Sequence, residues 1–306
     1  MKCSLHLISS KCKSLVLAPK YCQFHAQIST LVRCRDESFA PTAYIIEEDF
    51  NERISLLTQR QKNSTSFEDY LAFSRSVQEV KPNAQKLNQA ITESIYCNGL
   101  TEDFYQSVIE ISRLFVKSKD IVLDVGCGLG RISIEATKLG ADYVIGLDLS
   151  PAMITEAIKV ASAKNDISIN LNSLRGGVAA TLHPDWDDKI LDFIVGNSTN
   201  LPVLENAIDV AFALNLIDRV PYPMKVVREI GRVLKSGGYL IIIDPYDWRE
   251  NYTARENQVA DMADLFNKKN WKLKYEVDGI PFFIRGSEIR KITTYLNHCM
   301  VYQKEP

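Results

Sequence analysis

The chain has 306 residues, enough for one large domain or for a domain with an appendage. A hydrophobic content of 46% supplies a core, and a net charge of −2 leaves no electrostatic footprint for nucleic acid. No apolar run approaches the roughly twenty residues that a membrane-crossing helix needs, so no membrane partner is expected.

The first 35 residues contain no Asp or Glu, six Lys or Arg and four of the seven cysteines. Three readings are open for this segment. It is acidic-poor and Ser-rich like a targeting peptide, but Lys-rich where a transit peptide is Arg-rich. Cys12, Cys22, His25 and Cys34 offer zinc ligands, but without the C-x-x-C pairs of a ribbon. The expectation is an irregular, partly ordered extension over 1–40 with no metal. The odd cysteine count, with Cys127 inside a glycine turn, points to reduced thiols and a cytoplasmic protein.

From 41 to 119 the pattern is helical. Ile54, Leu57, Tyr70, Leu71, Val77, Leu87, Ile91, Tyr105, Val108, Ile109 and Phe115 recur at three- and four-residue intervals, interrupted at Pro82 and Asn98–Gly99. These helices either pack on a sheet edge or form a lid over a site.

The most informative stretch is Ile121 to Arg131, IVLDVGCGLGR. A β-branched strand ends in Asp124. Gly126, Gly128 and Gly130 follow, and an amphipathic helix begins, so free helix N–H groups face a ligand across a turn with no side chains. A second strand, Tyr143–Leu147, stops at Asp148, the distance at which a carboxylate meets ribose hydroxyls. The spacing is D-x-G-x-G-x-G rather than the dinucleotide G-x-G-x-x-G. A pyrophosphate has no use for a carboxylate at Asp124, whereas an ammonium group does. A dinucleotide site and a fold without ligand remain as alternatives.

The rest alternates as a doubly wound α/β sheet. Helix Leu129–Leu139 follows the first strand, and Ser150 with Pro151 opens another helix. Ile167–Leu171 and Val178–Leu182 read as a hairpin elaborating a sheet edge. Strands Leu191–Val195 and Ile208–Leu214, helix Met224–Leu234, strand Tyr239–Asp244 and helix Arg255–Lys269 come next. Trp271–Val277 and Ile292–Tyr302 close the sheet as an antiparallel pair, with Pro281–Ile284 a short apolar segment between them. Ligands of open α/β sheets lie outside the carboxyl ends of the strands. That rule selects Asn197 and Ser198 after the third strand, Asn215 to Arg219 after the fourth, and Asp244 to Arg249 after the fifth. His183 and His298 have no partner cluster in the sequence and read as structural.

The glycine stretch and Asp148 resemble the first two motifs of class I S-adenosylmethionine-dependent methyltransferases. The resemblance implies a Rossmann-like sheet of seven mostly parallel strands over 120–306, preceded by a helical extension, with S-adenosylmethionine as cofactor. The cofactor-binding set it implies is Asp124, Gly126, Cys127, Gly128, Gly130, Asp148, Leu149, Asn197, Ser198 and Asn215. Many such enzymes place an Asp where Asn197 stands, against the adenine amino group. Asn197 is equally read as a turn residue bonding its own backbone.

ALNLIDRV, LKSGGYLIIIDPYDW and DGIPFFIR together are similar to the 4-mercaptohistidine N1-methyltransferase, ovothiol-type, family, from about Ile121 to Tyr302. The glycine turn departs from that family at Gly128, where a small non-glycine residue is usual. The resemblance implies a small-molecule acceptor, an imidazole nitrogen of a histidine-derived thiol. Asp218 is then the candidate to hold the ring N–H, and Tyr246 and Trp248 the candidates to stack on the ring. Arg219 or Arg285 would meet a substrate carboxylate. Asp218 with Arg219 also reads as a structural ion pair, and Tyr246 with Trp248 as core plugs. A different small-molecule or RNA acceptor and a non-catalytic binding scaffold are the competing functions.

Overall fold

The computed structural model describes residues 102–163, 167–173, 176–182, 190–285 and 292–306. The 1–40 extension with its candidate zinc ligands, and the helical stretch up to residue 101, lie outside the described residues. The first described element is helix α1 (Glu102–Phe115), which buries Phe104, Val108 and Ile111. Strand β1 (Ile121–Val125) and helix α2 (Arg131–Lys138) follow, then β2 (Tyr143–Asp148) and α3 (Pro151–Ala161). Ser150 caps α3, its Oγ accepting the Met153 N–H, with Pro151 in the first turn as the sequence predicts.

Next come a hairpin, β3 (Ile167–Ser173) and β4 (Gly176–Leu182), then β5 (Leu191–Val195), β6 (Ile208–Leu214) and α4 (Pro223–Val233). The chain closes with β7 (Leu234–Asp244), β8 (Trp271–Arg285) and β9 (Ile292–Lys304).

Seven strands form one sheet in the order β5-β2-β1-β6-β7-β9-β8. The first five run parallel, while β9 is antiparallel to β7 and β8 to β9. The chain order reverses beside β1, between β2 and β6, which opens the crevice at the carboxyl ends of these strands. Each face of the sheet carries its own core. Phe104, Val108, Ile134 and Phe212 belong to the cluster with α1, α2 and α3, and Leu123, Ile230 and Ile242 to the cluster with α4. Burial on both faces explains why β1, β6 and β7 read as nearly unbroken apolar runs.

Four expectations are corrected. Among the described residues, the hairpin pairs only with itself and forms a separate two-stranded sheet. Strand β7 begins at Leu234 rather than Tyr239, pairing with Ile208 before a register shift, and Gly237 takes a φ of 80° within it. Strand β8 is continuous through Pro281, because it is the edge strand and a missing N–H there costs no ladder bond. The expected helix Arg255–Lys269 is absent. Only two 3-10 turns form there, Arg255–Asn257 and Met262–Leu265. Its polar side chains bond backbone instead: Asn257 to the Pro221 carbonyl, Gln258 to that of Thr253, and Asp261 to the Ala263 N–H. Such bonds compete with helix, and burial of Met262, Leu265 and Phe266 supplies the periodicity that imitated one.

Candidate cofactor and acceptor site

The turn between β1 and α2 is fastened to β2 by the N–H groups of Gly126 and Cys127, which donate to the Leu147 carbonyl at 2.7 and 2.9 Å. Gly126, Gly128 and Gly130 all have positive φ, at 77°, 54° and 79°. Their surroundings separate them. A Cβ on Gly126 would lie 2.8 Å from the Leu216 side chain, and one on Gly130 2.5 Å from the Phe193 ring, whereas one on Gly128 would meet nothing within 4 Å. Two glycines therefore make room for the protein, and Gly128 alone opens outward. Helix α2 starts at the third without a side-chain cap.

Asp148, half-buried at the end of β2, closes this turn. Its Oδ2 accepts the Gly128 N–H at 2.9 Å and its Oδ1 the Ser150 N–H at 2.8 Å. Burial nevertheless raises its pKa, against the pull of those amides. Leu149 beside it is half-buried. Asp124 sits deeper, 3% exposed, and its Oδ2 accepts the Ser133 hydroxyl proton at 2.6 Å. Burial pushes its pKa to about 7, only partly offset by Ser133. Cys127 packs under the turn, its thiol held well above its ordinary pKa by burial and then by Asp124 and Asp148.

After β5, the Oδ1 of Asn197 accepts both the N–H and the hydroxyl proton of Thr199, at 2.9 and 3.0 Å. The turn role is thus realised, and both lone pairs of that oxygen are engaged. Ser198 beside it is half-buried. After β6, Asn215 has a positive φ of 49°, and its buried Oδ1 has no hydrogen-bond partner.

The carboxyl ends of β6 and β7 are lashed together by Asp244, which is 0% exposed. Its Oδ2 accepts the N–H groups of Ile217 and Asp218 at 3.0 and 3.2 Å, and its Oδ1 that of Tyr246 at 3.0 Å. Asp218 is also 0% exposed, and neither of its oxygens accepts a hydrogen bond of good geometry; the Nε of Arg219 stands 3.4 Å away. Burial raises its pKa to about 6, with Arg219 opposing. Burial, and next the Asp218 charge, raises Asp244 to about 7.

Arg219 is occupied internally. It bonds the Asp247 carboxylate at 2.8 Å and carbonyl at 3.3 Å, and lies 5.5 Å from the centre of the Tyr252 ring. Partial burial raises the pKa of Asp247, but Arg219 and Arg249 together leave it lowered. The ion-pair reading of Asp218 and Arg219 therefore has its geometry, extended to Asp247. Trp248 packs against the α4-side core with its indole N–H on the Val259 carbonyl at 3.0 Å. Arg285 ends β8, and its side chain lies outside the described residues.

Tyr246 is half-buried with a φ of 57°, and burial pushes its pKa to about 12. Its hydroxyl meets His298 Nδ1 at 2.7 Å and accepts the Met262 N–H at 3.1 Å, while His298 Nε2 meets Glu276 Oε1 at 3.0 Å. His298, read as structural from the sequence, thus belongs to a chain of polar contacts. Sequence reasoning also passed over Ser133, which anchors Asp124, and the clamping role of Asp244. The second had a visible signal: one carboxylate closing an otherwise apolar strand.

Residues 123–242 match the family model described as a methyltransferase domain. Among curated relatives, a sterol 24-C-methyltransferase of Saccharomyces cerevisiae is 27% identical over 179 residues, 58% of this chain and 38% of that protein. A ribosomal protein L11 methyltransferase of Agathobacter rectalis is 32% identical over 151 residues, 48% of this chain and 40% of the relative. A demethylmenaquinone methyltransferase of Listeria welshimeri is 27% identical over 208 residues, 64% of this chain and 73% of the relative. The chain thus spans less than half the length of the sterol and ribosomal-protein relatives. A solved methyltransferase from Methanosarcina mazei is 20% identical with a TM-score of 0.45, over 64% of this chain and 97% of that one.

The described sheet has the Rossmann-like methyltransferase fold, and the match of residues 123–242 to a methyltransferase domain implies S-adenosylmethionine as cofactor. The residues fit that molecule. Gly128 leaves the turn open, while Asp148 and the unpartnered Asn215 oxygen are acceptors for hydroxyl and ammonium protons. Among the described residues, no helix is long and apolar enough to cross a membrane.

Proposed function

We propose that this protein transfers a methyl group from S-adenosylmethionine to a small molecule, specifically to an imidazole nitrogen of a histidine-derived thiol. The observation that carries the reading is the acceptor-side wall: the buried Asp218 and half-buried Arg219 of N-L-I-D-R, held at the carboxyl ends of β6 and β7 by Asp244. The sterol and quinone relatives act on small molecules by their names, which supports that acceptor class.

The cofactor supplies a methyl group already activated on a sulfonium. The protein's residues then bind and orient. In this reading Asp148 takes the ribose hydroxyls beside Leu149, the Gly126–Gly130 turn with Cys127 lets the donor approach, and Asp124 and Asn215 take the ammonium group. Asn197 and Ser198 border the adenine.

An imidazole nitrogen, with an ordinary pKa near ~6.5, is largely neutral at pH 7 and needs only its productive tautomer held in line. Asp218 holds that N–H. It lies behind Arg219, so the acceptor reaches it as Arg219 turns fully onto Asp247, to which it is already bonded at 2.8 Å. Arg219 is thereby a gate, and Arg285 is left to meet a substrate carboxylate. Tyr246 and Trp248 border the ring.

Incubating the protein with S-adenosylmethionine and 4-mercaptohistidine tests this. N-methylated product is expected. Transfer only to quinol or sterol acceptors would retain the methyltransferase and overturn the imidazole assignment.

A further inference from the structure

His298 stands outside every role assigned above, yet its ring is fixed at both nitrogens. The Glu276 carboxylate can only accept, so the neutral His298 ring carries its proton on Nε2 and takes the Tyr246 hydroxyl proton at Nδ1, 2.7 Å away, while that hydroxyl oxygen accepts the Met262 N–H at 3.1 Å. The Nε2 proton is donated to Glu276 Oε1 at 3.0 Å. The three groups come from the β7 loop, β9 and β8, and His298 faces Asp244 directly across the β7–β9 ladder.

The loop residue so tethered is under backbone strain. Tyr246 has a φ of 57°, a region costly for a non-glycine residue, and Asn215 on the neighbouring loop has a φ of 49°. Such a conformation persists only where surrounding bonds over-determine it. At Tyr246 those bonds are the Asp244 carboxylate on its N–H and the His298 and Met262 contacts on its hydroxyl. The next residue, Asp247, bonds Arg219, whose Nε also stands 3.4 Å from Asp218.

We propose that His298, oriented by Glu276, is a positioning residue: through the Tyr246 hydroxyl it holds the β7 loop in its strained form and so sets Asp247, Arg219 and Asp218 at the acceptor side. The methyl-transfer reading supplies the purpose of that loop, but the tether itself is tested without any acceptor.

Amide hydrogen exchange on the full chain decides the matter, read at Ile217, Asp218 and Tyr246, whose N–H groups Asp244 binds. His298→Leu and Tyr246→Phe are each expected to speed exchange at these amides by about tenfold, leaving Val122 and Leu123 of β1 unchanged. His298→Asn, whose amide oxygen replaces Nδ1, is expected to restore slow exchange. The double variant Tyr246→Phe with His298→Leu is expected to match Tyr246→Phe alone, because that substitution already removes the His298 bond together with the Met262 one. Unchanged exchange in His298→Leu overturns the proposal. So does equal acceleration in β1, or failure of His298→Asn to restore what His298→Leu loses. If S-adenosylmethionine fails to bind the parent protein, the function proposed above falls while these outcomes keep their meaning.

Discussion

Asp244 accepts the backbone N–H of Asp218 at 3.2 Å, so one buried carboxylate holds in place the residue that carries the next. Both side chains are 0% exposed. They differ in support: Asp244 accepts three backbone amides, and neither Asp218 oxygen accepts a hydrogen bond of good geometry. Asp244 fixes the loops, and Asp218 is the group proposed to hold the acceptor.

Changing Asp218→Asn keeps the shape and removes the charge. Turnover is expected to fall by about tenfold or more, while S-adenosylmethionine affinity changes little. Calorimetry paired with kinetics checks this. Equal losses in both would assign Asp218 to structure alone.

The glycines of the turn are expected to fail differently. Gly128→Ala points into open space, so its stability cost is only the positive φ, about 1 kcal/mol. Its cofactor affinity is expected to drop by about tenfold, since the added methyl enters the ligand's approach. Gly130→Ala drives a methyl to 2.5 Å from the Phe193 ring and is expected to lower the melting temperature further. Thermal melts beside binding isotherms separate the two; identical behaviour would remove the special place given to Gly128.

Asp148→Ala removes the carboxylate from Gly128 and Ser150 as well as from the proposed ribose contact. Cofactor binding is expected to weaken by ~1.5–3 kcal/mol, read by calorimetry. Unchanged affinity would contradict the ribose assignment.

Buried acids make stability depend on pH in a definite direction. Asp124, ordinarily at 3.8, stands at about 7 in the folded chain, and Asp218 and Asp244 are raised to about 6 and about 7. Between these values the folded state keeps protons that the unfolded state has released. The resulting stability is full below the ordinary carboxylate pKa and is lost as pH rises through the folded values. The melting temperature is expected to fall from about pH 4 to about pH 7, and Asp124→Asn to flatten that fall. A melting temperature that climbs across the same range would contradict these shifts.

The strand ends were legible because an acid, a glycine or an asparagine closes each apolar run. Asp124, Asp148, Gly196, Asn215 and Asp244 all stand at the carboxyl edge. The Arg255–Lys269 helix misled because burial of Met262, Leu265 and Phe266 mimics helical spacing, while Asn257, Gln258 and Asp261 take the backbone elsewhere. Pairings across the sheet were beyond reach. Nothing in the sequence places His298, 52 residues from Tyr246, against its hydroxyl, and only the β7–β9 register brings them together.

The central claim is that the crevice beside β1 binds the methyl donor. Calorimetric titration of the full chain with S-adenosylmethionine and S-adenosylhomocysteine tests it most directly. One-to-one binding of both at about micromolar affinity is the predicted result. No heat of binding from either at about millimolar ligand would contradict it, and the roles given to Gly128, Asp148 and Asn215 would fall with it.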